Sequence, residues 1–433
     1  MPTNVLLLGS GGREHAIAWR ISQSSRLGKL WVAPGNAGTA VLGENVAGVT
    51  ITDPEAVVRL AERVRADLVL VAPDDPLAAG VVDALAEAGI AAFGPTRAAA
   101  EIEWSKSFAK DLMRETGIDT ASSHAFDDPD EATEHARSEF EAGRAVVVKA
   151  DGLALGKGVT VCDTFEEAEA AVDAAMRRGA FGASGARVII EERMAGPETS
   201  AHAFSDGVTV RHMPFSCDHK PVFDGNRGPN TGGMGAYSPP GWLDEATAEV
   251  IRRDVTERAV RALADQGRPF RGVLYPGMMV TPAGPRVVEF NARFGDPETE
   301  VLLPRLRTDL LEICDAVAHG RLADIEVEWD EAASVGVMMA SGGYPGAYEK
   351  GMPISGVEDV DDDVQVFVAG AARDEQGRLV TSGGRVLCVV ARGATITEAR
   401  ERVYDNVRRI HFEGVHYRTD IGATGDEPLE TKR

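Results

Sequence analysis

The chain has 433 residues, of which 44% are hydrophobic and 26% are charged, a composition typical of a globular protein with about three domains. Its formal net charge is −23, from 68 acidic and 45 basic residues, which argues against nucleic acid or anionic membranes as partners. The four cysteines are scattered, no apolar run approaches the ~18 residues of a membrane span, and no signal-like segment opens the sequence, so we expect a reduced, cytoplasmic protein.

The first hundred residues alternate between apolar strands and helical stretches. Strands are predicted at 5–8, 30–33 and 68–72, and helices at about 12–22, 54–65 and 77–88. This series predicts a parallel sheet with crossover helices. Ligands of such sheets bind beyond the carboxyl ends of the strands, which is where the Gly- and Pro-rich loops of this segment fall.

The first of these loops, Gly9-Ser10-Gly11-Gly12, is close to a dinucleotide-binding fingerprint. Glu14 stands where the third glycine of that fingerprint is required, which disfavours an NAD-dependent oxidoreductase. Two interpretations stay open. The loop is either an anion site at a helix N-terminus or a plain strand-to-helix turn that needs glycine for a positive φ.

The middle of the chain contains a second series of helices and strands. Helices are predicted at 105–116, 129–141, 164–178 and 245–265, and strands at 145–149, 188–191, 199–205, 208–213, 272–281 and 286–294. Asp206-Gly207 is a strong hairpin signal between two of these strands. The Gly-, Pro- and Asn-rich segment 217–240 is expected to be a long irregular loop, and such loops are often functional.

A glycine-rich loop with two lysines follows the predicted strand 145–149. Lys149 ends the strand, and Gly152, Gly156, Lys157 and Gly158 follow it. Exposed backbone amides and ammonium groups suit the β- and γ-phosphates of ATP. The loop is not a P-loop, because the spacing is one residue short and no Ser or Thr follows the second lysine. The alternative is a flexible surface hairpin without function.

The most informative stretch is RVVEFNARFGDPETE at 286–300. Its β-branched and aromatic residues predict a strand, so Glu289, Asn291 and Arg293 fall on one face of the sheet. A carboxylate and an amide oxygen suit Mg²⁺, and a guanidinium suits phosphoryl or carboxylate oxygens. These side chains therefore predict a metal–phosphate site, against the alternative of a solvated polar strand face.

After Trp329 the pattern changes to short strands at 335–340, 364–368 and 385–390, followed by a helix at 397–410. We therefore place domain boundaries near 103 and 330. The expected fold class is α/β, with an N-terminal parallel βαβ domain at 1–103, a middle domain at 104–330 and a small C-terminal α+β domain at 331–433.

These segments together resemble the ATP-grasp ligases, and most closely the phosphoribosylamine–glycine ligase family. The resemblance covers nearly the whole chain in one collinear order, through GGREHA, APGNAG, KADGLALGKGV, DHK, GPNTGGMGAYSP and EFNARFGDPE. It implies an ATP-grasp fold in the middle domain, with a mobile lobe at about 118–192. It also implies that glycine and 5-phosphoribosylamine are joined through a glycyl phosphate, with ATP cleaved to ADP and phosphate, in purine synthesis.

The resemblance also implies a role for each matching position. The positions implied for ATP are Lys106, Lys149, Lys157, Gly156 and Gly158 at the phosphates, Glu191 and Glu192 near the adenine, and Glu198 at the ribose. Glu289 and Asn291 match the metal ligands, for Mg²⁺ or alternatively Mn²⁺. The implied catalytic positions are Arg293, Lys157 and Asp296, and those implied for the two other substrates are Gly9, Gly12, Asn36, Asp218, Lys220, Thr231, Gly232, Gly233 and Arg293.

Several positions depart from the family's usual residues. Ala72 and Asp74 stand where Gly and Glu are usual, Trp104 replaces a small residue, and Val368 and Ala371 replace a His and a Thr. These departures leave three hypotheses open, namely this ligase, a divergent ligase for another acid or amine, and a non-catalytic nucleotide-binding protein. We expect small-molecule substrates, no nucleic acid or membrane partner, and a monomer or weak homo-oligomer.

Overall fold

A computed structural model describes residues 2–152 and 158–425. Its first sheet is parallel throughout, with the strand order β3-β2-β1-β4-β5. The elements of this part are β1 (Thr3–Gly9), α1 (Gly12–Ile21), β2 (Leu27–Pro34), β3 (Glu44–Asn45), α2 (Pro54–Val64), β4 (Leu68–Val71), α3 (Asp74–Ala78), α4 (Val81–Glu87), β5 (Ala91–Phe93) and α5 (Arg97–Trp104). The predicted parallel βαβ sheet is confirmed.

Two helices differ from the prediction. The helix expected at 77–88 is split into α3 and α4, because Gly80 between them has a φ of +86°. Helix α5 was missed, although Thr96 caps it through a hydrogen bond from the Ala99 amide to its side chain. This second error matters for the site, because α5 carries Glu103.

The next part folds into a small antiparallel sheet with the strand order β6-β9-β7-β8. Its elements are α6 (Lys106–Thr116), β6 (Ser123–Phe126), α7 (Pro129–Glu141), β7 (Val146–Ala150), β8 (Val159–Cys162), α8 (Phe165–Val172), a π-helix (Asp173–Arg177) and β9 (Val188–Glu192). Apolar residues of α7 and α8 cover one face of this sheet in a separate core. Strand β7 brings Lys149 to the end of the sheet.

A second antiparallel sheet has the order β10-β17-β11-β12, and β18 pairs with β17. Its elements are β10 (Glu198–Ser200), β11 (Ala203–Asp206), β12 (Val210–His212), α9 (Glu245–Val250), a π-helix (Ile251–Glu257), α10 (Arg258–Asp265), β17 (Arg271–Thr281) and β18 (Gly284–Asn291). The predicted hairpin is confirmed, with Gly207 at a φ of +96° between β11 and β12. Strand β18 ends at Asn291, so Arg293 lies beyond the strand in which it was predicted.

The C-terminal sheet has the order β13-β16-β19-β23-β20 and includes strands from the segment expected to be irregular. The remaining elements are β13 (Cys217–Asp218), β14 (Pro221–Phe223), β15 (Arg227–Asn230), β16 (Gly235–Ser238), α11 (Glu298–Leu302), α12 (Leu310–Ala318), β19 (Ala333–Ala340), β20 (Gln365–Val368), β21 (Ala371–Arg373), β22 (Leu379–Thr381), β23 (Arg385–Gly393) and α13 (Ile396–Val407). Short 3₁₀ turns lie at Thr39–Val41, Gly182–Gly185, Leu303–Arg305, Leu322–Asp324 and Val357–Asp359. None of the helices in the described ranges is long and apolar enough to cross a membrane.

The N-terminal sheet is joined to the C-terminal sheet through α1. His15 Nδ1 accepts a hydrogen bond of 2.7 Å from the Val368 amide, and the rings of His15 and Trp19 pack edge-on against Phe367. Burial lowers the pKa of His15 to about 4. The imidazole is therefore neutral at physiological pH, as an acceptor Nδ1 requires.

We expect this contact to fail in acid. The folded-state pKa of His15 is about 4 and the unfolded value is about 6.5, so the unfolded chain binds the proton more tightly. The stabilisation is complete above pH 6.5 and is lost as the pH falls toward 4. Between pH 7 and 4.5 the wild type should lose about 2 to 3 kcal/mol more stability than His15→Asn, measured by denaturant unfolding at each pH. Equal losses in the two proteins would refute this assignment.

Candidate active site

The predicted trio converges where β18 ends. Glu289 and Asn291 lie on the strand, and Arg293 follows two residues later. Arg293 Nη2 nevertheless lies 3.4 Å from Asn291 Oδ1, to which it donates a hydrogen bond. The carboxylate, the amide oxygen and the guanidinium are therefore neighbours, as the sequence predicts.

Three lysine ammonium groups lower the pKa of Glu289. Lys220 Nζ lies 3.3 Å from Glu289 Oε1, and this charge lowers the pKa of Glu289 to about 2 against the opposing effect of burial. Lys149 and Lys106 lower it further. Glu289 is therefore ionised at neutral pH, and with the Asn291 oxygen it presents hard donors of the kind that Mg²⁺ prefers. In the described part of the chain, no group of three or more His, Cys, Asp or Glu side chains could hold a metal ion.

Arg293 is held in place by residues on other elements. Its Nη2 lies 3.2 Å from Glu103 Oε1, and its Nη1 donates to the Tyr275 hydroxyl at 3.3 Å. The second oxygen of Glu103 accepts a 2.9 Å hydrogen bond from the Ala292 amide. One carboxylate at the end of α5 therefore positions both the guanidinium and the backbone that carries it. Sequence reasoning missed Glu103 and Tyr275.

One of the predicted ATP lysines, Lys149, pairs with a buried carboxylate, Glu191. Lys149 Nζ lies 2.8 Å from Glu191 Oε2, and Lys110 Nζ lies 3.0 Å from Glu191 Oε1. Lys106 Nζ donates a 3.0 Å hydrogen bond to the Gly152 carbonyl, and burial lowers its pKa. Lys110 was not predicted, although it lies four residues after Lys106 on the same helical face. Lysines from α6 and β7 thus form one cationic cluster.

The other residues implied for ATP lie around this cluster. Glu192 pairs with Arg286 and accepts a hydrogen bond from the Ser122 amide. Glu198 faces the same cavity as Glu289. Gly158 is buried, and its carbonyl accepts a 2.8 Å hydrogen bond from the Ala150 amide. Gly156 and Lys157 lie outside the described residues.

A small polar cavity extends from Glu289 toward β10 and β13. Its polar lining includes Glu198, Ser200, Asp218, Lys220, Tyr275, Glu289, Asn291 and Glu298. Burial and the Asp218 charge raise the pKa of Glu298 to about 7, and Glu298 Oε1 accepts a 3.2 Å hydrogen bond from Ser200. Acidic and basic groups therefore face each other across this cavity.

A larger cleft of about 640 Å³ separates the N-terminal sheet from the C-terminal sheet. Its lining is Ser10, Gly11, Gly35, Asn36, Ala37, Ala40, Asn45, Asp296, Tyr344, Ala369, Gly370, Ala371, Ala372, Arg373, Ser382 and Arg385. Asp296 Oδ1 lies 3.0 Å from Arg385 Nη1. Asn36 donates hydrogen bonds to the carbonyls of Ser10 and Val368 and so joins the two walls. Sequence reasoning had not singled out Arg385 for this cleft.

The glycine-rich turn before α1 lies at one end of the cleft. Gly9 has a φ of +120°, and a Cβ there would fall 2.5 Å from Glu14 Cγ. Glu14 Oε2 accepts a 2.5 Å hydrogen bond from the Gly11 amide, so the helix start is capped by its own carboxylate. A Cβ on Gly12 would fall 2.6 Å from Glu300 Oε1. This geometry favours the plain turn at Gly9 and Gly12, while Ser10 and Gly11 face the cleft.

The loop after the β14–β15 hairpin, residues 231–233, contacts Lys220 and Arg385. Thr231 donates from both its amide and its hydroxyl to the Lys220 carbonyl, at 2.8 and 2.7 Å. The Gly233 amide donates to Thr231 Oγ1 at 3.0 Å, and Arg385 Nη1 donates to the Gly232 carbonyl at 2.6 Å. The loop therefore connects Lys220 in the small cavity to Arg385 in the large cleft.

Three of the unusual residues, Asp74, Val368 and Ala371, interact with residues of the site or line the cleft. The charge of Asp74 acts on Arg293, which places this carboxylate toward the site. Ala371 lines the cleft, and Val368 contributes only its backbone groups to the contacts with His15 and Asn36. Nothing in the structure explains Trp104, whose indole N–H is buried with no hydrogen-bond partner in the described structure.

Comparisons with known proteins agree over the length of the chain. Three sequence families match, described as phosphoribosylglycinamide synthetase N domain at residues 3–103, ATP-grasp (A) domain at 104–299 and C domain at 334–424. A phosphoribosylamine–glycine ligase of Rhodopirellula baltica is 49% identical over 424 residues, covering 96% of this chain and 97% of the relative. A crystal structure of phosphoribosylamine–glycine ligase from Thermotoga maritima is 34% identical, with a TM-score of 0.83, and covers 96% of this chain and 99% of that one.

A more distant likeness concerns the fold alone. The biotin carboxylase domain of Hydrogenobacter thermophilus 2-oxoglutarate carboxylase, solved with MgADP and bicarbonate, has a TM-score of 0.73 at 18% identity and covers 96% of this chain and 92% of that one. The expected α/β class and the ATP-grasp fold of the middle domain are confirmed.

Proposed function

Because this chain belongs to the phosphoribosylglycinamide synthetase family and is an ATP-grasp ligase of purine synthesis, we propose that it joins glycine to 5-phosphoribosylamine. The products would be glycinamide ribonucleotide, ADP and phosphate, with glycyl phosphate as the intermediate. The observation that carries this proposal is the convergence of Glu289, Asn291 and Arg293 beside a cavity with both acidic and basic walls.

In the first step a glycine carboxylate oxygen attacks the γ-phosphorus of ATP, and ADP leaves. This step depends on positioning and charge neutralisation. The Arg293 guanidinium would contact the transferring phosphoryl group, since Glu103 and Tyr275 hold it from the other side. Glu289 and Asn291 would hold Mg²⁺ or Mn²⁺, which when bound neutralises phosphate charge.

The remaining ATP contacts follow from the cationic cluster. We assign Lys106 and Lys149 to the phosphates, together with Lys157 and the loop glycines Gly156 and Gly158. Glu191 keeps Lys149 in place. We assign Glu198 to the ribose and the segment at Glu191 and Glu192 to the adenine, because these residues follow one another along β9 and β10.

Glycine would bind in the small cavity as a zwitterion. Its ammonium group would face Asp218 and Glu298, and its carboxylate would face Lys220 and Arg293. Opposite charges placed in this way orient a small zwitterion with its carboxylate toward the phosphates. The Thr231–Gly233 loop would cover this site, as its hydrogen bonds to Lys220 suggest.

In the second step the amine of phosphoribosylamine attacks the acyl carbon, the bond to phosphate breaks, and the amine loses a proton. We place this substrate in the large cleft, where Ser10 and Arg385 would supply donors for its phosphate and hydroxyls. Asp296 lines the cleft three residues after Arg293. We assign it the role of general base, which accepts the proton that the attacking amine loses.

The same proposal includes domain limits at 103 and 330. It also includes an assembly no larger than a weak homo-oligomer and a cytoplasmic location. The limits are supported by the separate N-terminal sheet. Strands β13 and β16, however, lie before position 330 and pair into the C-terminal sheet. The location is supported by the free, buried cysteines and by the role in purine synthesis.

We expect ADP release only when glycine and phosphoribosylamine are both present, because the acyl phosphate is consumed only by the amine. The measurement is coupled ADP detection with mass identification of the product, with each substrate omitted in turn. Turnover with another acid–amine pair and none with this one would instead support the divergent ligase, which is motivated by Asp74, whose charge acts on Arg293. Absence of turnover with glycine and phosphoribosylamine together would contradict the proposal.

A further inference from the structure

The segment between Lys220 and Thr231 is an exposed hairpin, made of β14 and β15. Its side chains are mostly exposed, including half of Phe223 and the whole turn at 225–228. A two-stranded hairpin is marginally stable by itself. One end of this hairpin follows Lys220, which lines the proposed glycine site, and the other end precedes Thr231, which is hydrogen-bonded to the Lys220 carbonyl. The conformation of the hairpin therefore affects the position of Lys220.

A buried arginine from the C-terminal domain contacts this hairpin. Arg418 is 1% exposed and forms two parallel hydrogen bonds with Asp420, each 2.7 Å long. It also donates to the Pro221 carbonyl and to Asn226 Oδ1, both at 2.9 Å. The arginine thus reaches the first residue of the hairpin and its turn at the same time.

The residues around Arg418 add further contacts to the same hairpin. The Thr419 amide donates to Asp224 Oδ1 at 2.8 Å, and the Gly225 amide donates to Asp420 Oδ2 at 2.8 Å. His416 Nε2 lies 2.8 Å from the Val222 carbonyl. The segment 416–420 therefore contacts five hairpin residues through backbone and side-chain groups, namely Pro221, Val222, Asp224, Gly225 and Asn226.

We propose that Arg418 is a positioning residue that fixes the hairpin and thereby holds Lys220 beside Glu289 for the acid substrate. Lys220 immediately precedes Pro221, whose carbonyl Arg418 binds. Thr231 closes the base of the hairpin by two hydrogen bonds to the Lys220 carbonyl. The proposal rests on the function assigned above, because the acid substrate is taken to be glycine.

The chemistry of arginine explains why this position suits it. A buried guanidinium is costly unless its donors are paired, and here Asp420 neutralises the charge while two donors remain for the hairpin. Lysine has a single ammonium centre and cannot make the bidentate pair and both hairpin contacts together. Arg418→Lys should therefore keep the charge and the fold but loosen the hairpin.

The test compares Arg418→Lys with Asn226→Gly, which removes one acceptor in the turn. Asn226 has a φ of +56°, so glycine fits there without strain. In Arg418→Lys the KM for glycine should rise about tenfold, the loss expected for one charge-assisted hydrogen bond. The KM for ATP should stay within about twofold, because the ATP lysines lie on other elements. Trypsin should cut after the exposed Arg227 faster in both variants.

Arg400→Gln is the matched control. Arg400 donates to the Thr419 carbonyl at 2.8 Å but does not contact the hairpin, so its KM for glycine and its rate of tryptic cleavage should match the wild type. Unchanged KM and cleavage in both test variants would overturn the proposal, and so would equal rises in the KM for ATP and glycine with a lower Tm. If the wild type shows no turnover with glycine, the assigned function fails, and the cleavage rates alone decide whether Arg418 fixes the hairpin.

Discussion

Arg293→Ala is expected to lower kcat about a thousandfold, the loss typical when a positioned cation is removed from a transferring phosphoryl group. The KM for ATP should change much less, because Lys106 and Lys149 remain. The physical reason is preorganisation. Glu103, Tyr275 and Asn291 hold the guanidinium before substrate binds, so no reorganisation is needed as charge develops. Steady-state kinetics with saturating glycine and phosphoribosylamine give the measurement.

Two further variants separate charge from geometry. Arg293→Lys keeps a cation near Glu103 but loses the planar fork, and kcat should fall about a hundredfold with little change in Tm. Glu103→Gln keeps an acceptor for the Ala292 amide but loses its charge, and kcat should fall about tenfold. Arg271→Lys, at the exposed start of β17, is the control. A kcat within about threefold of the wild type for Arg293→Ala would show that this guanidinium does not touch the reacting phosphate.

The convergence at β18 could be predicted from sequence because it depends on short-range geometry. Residues at i and i+2 of a strand share a face, so Glu289 and Asn291 had to be neighbours once the strand was identified. Arg293 lies beyond the strand end, yet its long side chain still reaches Asn291. The prediction of neighbouring groups therefore held even though the predicted strand was too long.

The residues that support this trio could not be predicted in the same way. Glu103 meets Arg293 only because α5 packs against β18, and no local pattern encodes that contact. Arg418 meets the hairpin through the same kind of long-range packing. Lys110 did carry a local signal, since it lies one helical turn after Lys106, but a second lysine on a helix is more often solvated.

The net charge of the chain does not describe the local charges of its site. The net charge is −23, yet Lys106, Lys149 and Lys220 all act on Glu289. Net charge describes the long-range field and non-specific partners, whereas a nucleotide binds to local groups. The acidic composition therefore excluded nucleic acid as an expected partner without arguing against ATP.

Glu289→Gln is the second variant with a large expected effect. It keeps an oxygen at the ligand position but removes the ionised carboxylate that Lys220 maintains at a pKa of about 2. Mg²⁺ prefers charged oxygen ligands, so turnover at millimolar Mg²⁺ should fall about a hundredfold. The concentration of Mg²⁺ needed for half-maximal rate should rise. Titration of the rate with Mg²⁺ and calorimetry of MgATP binding measure these two effects independently.

Glu298→Gln is the informative comparison, because it alters a buried carboxylate in the same cavity without touching Glu289. Glu298 is not one of the assigned metal ligands, so the Mg²⁺ dependence should stay as in the wild type. The KM for glycine should rise instead, since the negative charge that faces the ammonium group is lost. If both variants raised the Mg²⁺ concentration for half-maximal rate equally, metal binding would depend on the total charge of the cavity. The assignment of Glu289 as a ligand would then be wrong.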